Sequence, residues 1–354
     1  MIAKLISKNL WISNRTFPLL PPIDGLQLPP ILHLILFAGS LLALAMLVIK
    51  PTYKPFMILV VSFEIISCLL DMNRWQPWEY LYLTLVVISI VFYKNNRRRY
   101  TAVAFVLWST YFFSGLSKFN SGFLTSIWEK MILLQFLHLP SAFAHSRLLH
   151  LTGFVIPLIE IMGAMLLLFA STQKKGAAIL IATHVFNLIF LGPLGINYNK
   201  VVWPWNAVMT VLLAAIYIKN DVKINLKIML HKHLFWLLIL WGVLPLTHLF
   251  GLWDTYLSSS LYSGKTKHLN ICVDTLVNSY PQALQPFINK TSSKIYCASG
   301  VQISATKWSM TELNVPCYPE ERVYKKLAEN LRKQYPNASF HFVVYTSKRR
   351  IAEY

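Results

Sequence analysis

The chain has 354 residues, of which 55% are hydrophobic and only 13% charged, and its mean hydropathy is +0.49. A soluble globular protein carries about 25% charged residues, so soluble, disordered and fibrous classes are excluded, and 4 cysteines are too few for a disulfide scaffold. The balance of 33 Lys and Arg against 14 Asp and Glu gives a charge of +19. Most of these basic residues fall in short loops between apolar runs, so they read as a membrane-topology signal and not as a nucleic-acid footprint.

At the N-terminus, Ile2, Leu5, Ile6 and Leu10 are spaced for one helix face interrupted by Asn9, which predicts an interfacial amphipathic segment over residues 1–30. Apolar runs then recur, and eight membrane spans are predicted: 31–49, 56–70, 80–93, 101–117, 151–170, 176–191, 205–218 and 234–252. The first run does not read as a cleavable signal peptide, because its leader is proline-rich and Lys50 follows it. Alternate loops sort by charge. One set, from Lys50 to Lys232, holds 12 basic residues and the other, from Arg74 to Lys200, holds 5. The positive-inside rule therefore puts the first set in the cytoplasm and residues 253–354 outside. The expected location is a bacterial inner membrane with the C-terminal domain in the periplasm.

Beyond Trp253 the chain turns polar. Lys267–Asp274 and Ser339–Tyr345 read as strands, and Pro319–Tyr335 reads as an amphipathic helix with Glu320 and Glu321 in its first turn. The predicted fold class is thus an all-α membrane bundle over 31–252 followed by a small extramembrane α/β domain over 253–354. Cys272, Cys297 and Cys317 allow one disulfide on the outer side, with the pair left open. Cys68 lies in an apolar span and reads as packing. Asn289-Lys290-Thr291 and Asn337-Ala338-Ser339 are glycosylation sequons. No Walker A loop, G-x-G-x-x-G, H-E-x-x-H or C-x-x-C occurs, so no metal site is expected.

Ionisable residues at membrane depth carry the remaining signal, because each costs about 2.5–3.5 kcal/mol to insert. Glu64 and Asp71 are seven residues apart on one helix face. Asp71 opens the polar, aromatic turn Asp71-Met72-Asn73-Arg74-Trp75-Gln76-Pro77-Trp78, which reads either as an interfacial belt with an Asp71–Arg74 pair or as a pocket wall. Lys118 ends the fourth span, either snorkelling to headgroups or held as a base in an apolar pocket. Glu160 and His184 are mid-span, where a Glu–His pair would satisfy both, and Asn187 follows one turn later. The loop from Leu191 to Trp205, with Asn197, Tyr198 and Asn199 at its centre, suits a folded pocket lining or a tight turn.

Ser114-Gly115-Leu116-Ser117-Lys118-Phe119 resembles the lysine-bearing segment of the vitamin K-dependent γ-glutamyl carboxylases and their bacterial relatives, the HTTM proteins. Thr183-His184-x-x-Asn187 followed by Gly195-Ile196-Asn197-Tyr198 resembles a second stretch of that family. The Asp71 turn is similar to one found in DoxX/HTTM-like membrane proteins. The resemblance covers residues 30–252. It implies a quinol cofactor of the menaquinol or vitamin K type, Lys118 as the base and His184 beside it. It implies that Asp71, Arg74, Trp75, Trp78, Asn187 and Tyr198 line the cofactor pocket. The tail of about 100 residues is shorter than the carboxylases' luminal region, and Ser117 stands where they carry a second lysine. Both departures speak against a peptide substrate. The alternative reading is a non-catalytic DoxX-like accessory subunit that binds a protein partner through residues 253–354. Transport, resting on Glu160 and His184 alone, is a third.

Overall fold

The computed structural model describes residues 1–230, 234–274, 281–288, 297, 300–346 and 350–354. Two short helices, α1 (Ile2–Ile6) and α2 (Lys8–Trp11), precede α3 (Pro30–Ile49), α4 (Lys54–Leu70), α5 (Pro77–Val91) and α6 (Asn96–Ser117). The short α7 (Ser121–Phe123) runs on as a π-helix over Leu124–Phe136. There follow α8 (Ser141–Ala144), α9 (Arg147–Thr152), α10 (Val155–Leu167), α11 (Gln173–Leu191) and α12 (Val202–Leu213), the last extended by π-helical Ala214–Lys219.

Among the described residues, four helical segments are long and apolar enough to cross a membrane: Pro30–Ile49, Arg147–Leu167, Gln173–Leu191 and Val202–Lys219. That is what a membrane protein requires, but it corrects the expectation of eight spans. The other predicted spans are helical yet fall short for separate reasons. With 17 and 15 residues, α4 and α5 extend only about 26 and 22 Å at 1.5 Å per residue, against a hydrocarbon core of about 30 Å. Helix α6 is long enough, but it opens on Asn96-Arg97-Arg98-Arg99 and carries Ser and Thr through its length. The predicted 234–252 span is a continuous helical run over Phe235–Phe250, α-helical, then π-helical over Ile239–Val243, then α-helical again with Pro245 and ending in a 3₁₀ turn, but it too is short of the length needed to cross.

The chain divides into two compact units. The first comprises residues 1–42, 62–76 and 266–354. Its sheet is antiparallel in the order β2-β1-β3-β4, with β1 His268–Val273, β2 Val301–Ser304, β3 Phe340–Tyr345 and β4 Arg350–Glu353. The predicted strands and C-terminal helix match β1, β3 and the helix Glu321–Gln334 within two residues. That helix buries Val323, Tyr324, Leu327, Ala328 and Leu331, one face at helical spacing, and carries Glu321 at its start and Arg332 and Lys333 at its end, as the helix dipole favours. Leu269, Ile271, Val273, Phe342 and Val344 fill the sheet side of this core. Cys272 bonds Cys297, closing a separation of 25 residues, and Cys317 remains a buried thiol. The Asn289 sequon lies outside the described residues.

Within this unit the N-terminal residues are tied down at depth. Lys4 pairs with Glu64, to which Ser40 also donates, and its ammonium lies 3.3 Å from the centre of the Trp11 ring. Leu10 and Trp11 are buried, whereas Ile2 and Leu5 are exposed. The expected Asp71–Arg74 pair is replaced. Asp71 binds Arg15 and caps the 3₁₀ turn Met72–Arg74 through Asn73 N, while Arg74 donates to the carbonyls of Leu10, Trp11 and Ser67 and to His33 Nδ1. A four-residue turn points the two side chains apart, and three backbone carbonyls satisfy the Arg74 fork better than one carboxylate shared with Arg15. Burial lowers the Arg74 guanidinium to about 10, against the pull of Asp71. Glu312, near the end of the helix Ala305–Leu313, accepts from Thr16 N, Thr16 Oγ1, Phe17 N and Trp308 Nε1.

The second unit, residues 43–61 and 77–265, is helical. Its core is a layer of α6, α10, α11 and α12, in which glycines set the spacing. A Cβ on Gly163 would lie 2.7 Å from Leu180 Cδ2, and one on Gly176 would lie 2.7 Å from Gly163 O. These contacts put α10 and α11 antiparallel and close, with residue 163 opposite 180.

Candidate functional site

Helices α6, α10, α11 and α12, with the α7 π-helix and Leu261–Tyr262, enclose a cavity of about 610 Å³. Small-molecule sites are typically concave, apolar and about 300–1,000 Å³, with a few convergent polar groups. Here the walls are mostly aliphatic and aromatic, from Ile127, Ile132, Ile159, Phe190 and Val202 among others.

The first polar group is built by close helix approach. At Gly115 an added Cβ would meet Ile161 at 2.7 Å, Pro157 O at 3.1 Å and Glu160 Cβ at 3.2 Å. Only glycine lets α6 lie this near to α10, and the residues flanking it then face Glu160. Lys118 Nζ donates to Glu160 Oε2 at 2.5 Å and to Ser114 Oγ at 2.7 Å, and Ser114 Oγ donates to the same carboxylate oxygen at 3.1 Å. Ser114 and Lys118 are one helical turn apart. Lys118 caps α6, and Asn120 pins the turn by donating to Ser117 O and Ser263 O while capping Phe123 N. Both charged side chains are nearly buried, at 7% and 12% exposure.

The second group is centred on His184, whose Nδ1 lies 2.6 Å from Asn206 Oδ1 and whose Nε2 lies 2.6 Å from Tyr111 Oη. Asn206 Nδ2 donates to Val202 O, which orients its amide. Its Oδ1 therefore accepts, so the imidazole proton sits on Nδ1 and Nε2 accepts from the Tyr111 hydroxyl. At the loop side, Asn199 donates to Tyr262 Oη at 3.2 Å, and burial pushes the Tyr262 hydroxyl well above the usual phenol range, keeping its proton in place.

Of the residues singled out in the sequence, Lys118, His184 and Asn187 line this cavity. Glu160 lines it too, but its partner is Lys118, and His184 is satisfied by Tyr111 and Asn206 instead of by a Glu–His pair. Asp71, Arg74 and Trp75 belong to the first unit, where Asp71 and Arg74 are engaged as described above. Trp78 is buried in α5 against Tyr82, and Tyr198 lies in the loop before α12 with its backbone N–H on Leu191 O. None of these five is among the cavity's lining residues. Ser114 and Trp205, which the sequence placed only in a motif and at a loop end, line the cavity as well, as do Tyr111, Trp128 and Asn206, to which the sequence assigned no role. Ser114 sits four before Lys118, and Asn206 is a lone amide inside an apolar helix; both were readable signals. No protein-family model, curated protein or solved structure matches this chain.

Proposed function

We propose that the cavity binds a quinol or chemically similar lipophilic phenol and that the Lys118–Glu160 pair takes up its hydroxyl proton. The observation that carries this reading is a buried ammonium–carboxylate–hydroxyl cluster set in the wall of an otherwise apolar cavity. The apolar lining suits an aromatic ring, and Lys118, Ser114 and Glu160 offer both donors and an acceptor to a ring oxygen. Oxidation of the bound quinol by dioxygen would pass two electrons and two protons to the oxygen, giving the quinone and hydrogen peroxide, and the pair takes up the first hydroxyl proton and hands it on to the peroxide, so that it returns to its starting state. In the ion-paired form Lys118 already holds its proton, so the incoming one goes to Glu160. In the tautomer with the shared proton on Glu160, Lys118 Nζ is the base. Either way the pair accepts one proton and its net charge rises from zero to plus one. The Cys272–Cys297 bond supports an oxidising, extracytoplasmic setting for the C-terminal segment.

The test is quinol-dependent oxygen uptake by the purified protein, with menaquinol and with a vitamin K quinol, beside Lys118→Ala and Glu160→Gln. Removing a positioned acid or base typically costs about 10²–10⁴ in rate, so uptake should fall by at least about a hundredfold in both variants. Uptake by neither quinol in the wild type, or equal uptake in the variants, would overturn the assignment and favour the accessory-subunit reading.

A further inference from the structure

Deepening that reading, on which it rests, we infer that the ligand is chain-bearing. Its head enters the cavity sideways from the bilayer between α10 and α11, and its apolar tail stays in lipid.

Both helices belong to segments long and apolar enough to cross a membrane, and each carries an exposed apolar stripe. On α10 the stripe is Val155, Leu158, Met162 and Met165, with steps of three and four. On α11 it is Ala178, Ala182, Val185, Phe186 and Ile189, again at helical spacing. Apolar faces of this kind on membrane-crossing helices face hydrocarbon. Three residues, Met162, Ala182 and Phe186, belong at once to these stripes and to the cavity lining. A residue on both surfaces marks the place where the cavity meets the outside, so the mouth opens on the lipid-facing side.

The glycine contacts account for its position. At one end α10 and α11 are sealed by Gly163 against Leu180 and Gly176 against Gly163 O. The cavity lining begins with Met162 and Ile179, the neighbours of that seal, and continues away from it to Ile156 and Phe190. Beyond the seal no glycine contact draws the two helices together, and Phe186 and Phe190 stack on each other and pack edge-on against Phe136 of the π-helix. Beside the mouth, α11 carries the half-exposed neutral polar residues Thr183 and Asn187, and no charged side chain lies among the exposed lining residues. A hydrated or charged ligand has no favourable path here, whereas a prenylated or acylated ring crosses only apolar surface. The cavity then needs to hold only the head.

The test uses two probes on the protein in nanodiscs: 2-methyl-1,4-naphthoquinone without a side chain and the same ring with a tetraprenyl chain. Binding is read from quenching of intrinsic tryptophan fluorescence, since Trp128 and Trp205 line the cavity. Ala182→Phe narrows the mouth. Ala178→Phe makes the same change one turn away on the same exposed stripe, outside the lining. The expected result is that Ala182→Phe weakens the chained probe by about tenfold or more, a loss readily measured as affinity. It should leave the chainless probe within about twofold, and Ala178→Phe should change neither. Equal weakening of both probes by Ala182→Phe, or no effect on the chained one, overturns the lateral mouth. Wild-type binding of the chainless probe alone overturns the chain requirement while leaving the quinol reading standing. Binding of neither probe takes down the quinol reading and this inference together.

Discussion

Replacing Glu160 with Gln keeps the shape of the side chain and deletes the charge that faces Lys118. The pair is 2.5 Å apart with side chains 7% and 12% exposed, so solvent does little to screen it. Removing one partner of a buried pair leaves the other charge uncompensated and typically costs about 3–5 kcal/mol. Ser114 Oγ stays within reach of Lys118, which places the expected loss near the lower end, about 3 kcal/mol, or roughly a hundredfold in the unfolding equilibrium. Lys118→Met should cost about as much, by leaving Glu160 unpaired. The double variant removes both charges and fills the space with apolar or neutral atoms, so it should fall within about 1.5 kcal/mol of the wild type. Unfolding by SDS titration in mixed micelles, followed by circular dichroism, reads all four proteins on one scale. A double variant as unstable as the two single losses combined would show that the two residues do not stabilise each other, and the site as described would be wrong.

Two further outcomes follow from the first unit. Cys317 is 1% exposed and its thiol is pushed well up by burial, so the native protein should resist alkylation. Denaturation without reductant should label Cys68 and Cys317, and adding reductant should label Cys272 and Cys297 as well; mass spectrometry of the labelled peptides decides it, and native labelling of Cys317 would contradict its placement. His268 opens β1 beside Tyr345, with burial lowering its pKa from the usual 6.5. Between the two values the unfolded chain binds more protons than the folded one, so this contribution to stability is complete above about pH 6.5 and declines as pH falls toward the folded value. The thermal midpoint of His268→Phe should therefore fall less on acidification from about pH 7.5 to pH 5 than that of the wild type. An identical slope would assign the acid sensitivity elsewhere.

What could be read from the chain was what depends on near neighbours. The alternation of Leu269, Ile271 and Val273, and the spacing of Val323, Leu327 and Leu331, announce β1 and the last helix because each pattern repeats within a few residues. Strands β2 and β4 have four residues each, too few for alternation to stand out, and they exist because β1 and β3 offer edges to pair with. Four of the eight apolar runs were readable as segments able to span and the other four only as helices, because short length and an arginine-rich start decide crossing after helicity is granted. Partnerships over long distance were the hardest to see. Lys118 and Glu160 are 42 residues apart and meet through the glycine at 115, while Asp71 chose Arg15 over the adjacent Arg74. Cavity residues such as Asn206 were visible as lone polar groups, yet nothing local said that His184 would be their partner.

The anchoring of the first residues by the last ones bears on how the protein is made. Thr16 and Phe17 depend on Glu312, Ile6 on Asn314, and Asn9 on the Glu312 carbonyl, separations of 295 to 308 residues. At about 5–20 residues per second, the ribosome needs tens of seconds between releasing the first partner and producing the second. During that interval Asn9 and Thr16 must wait with water or with the membrane surface for company, and the first unit can close only after the second has been synthesised in full. A nascent chain stalled anywhere before residue 312 would therefore carry an open N-terminal segment, a handle by which a quality-control protease could tell an unfinished molecule from a finished one.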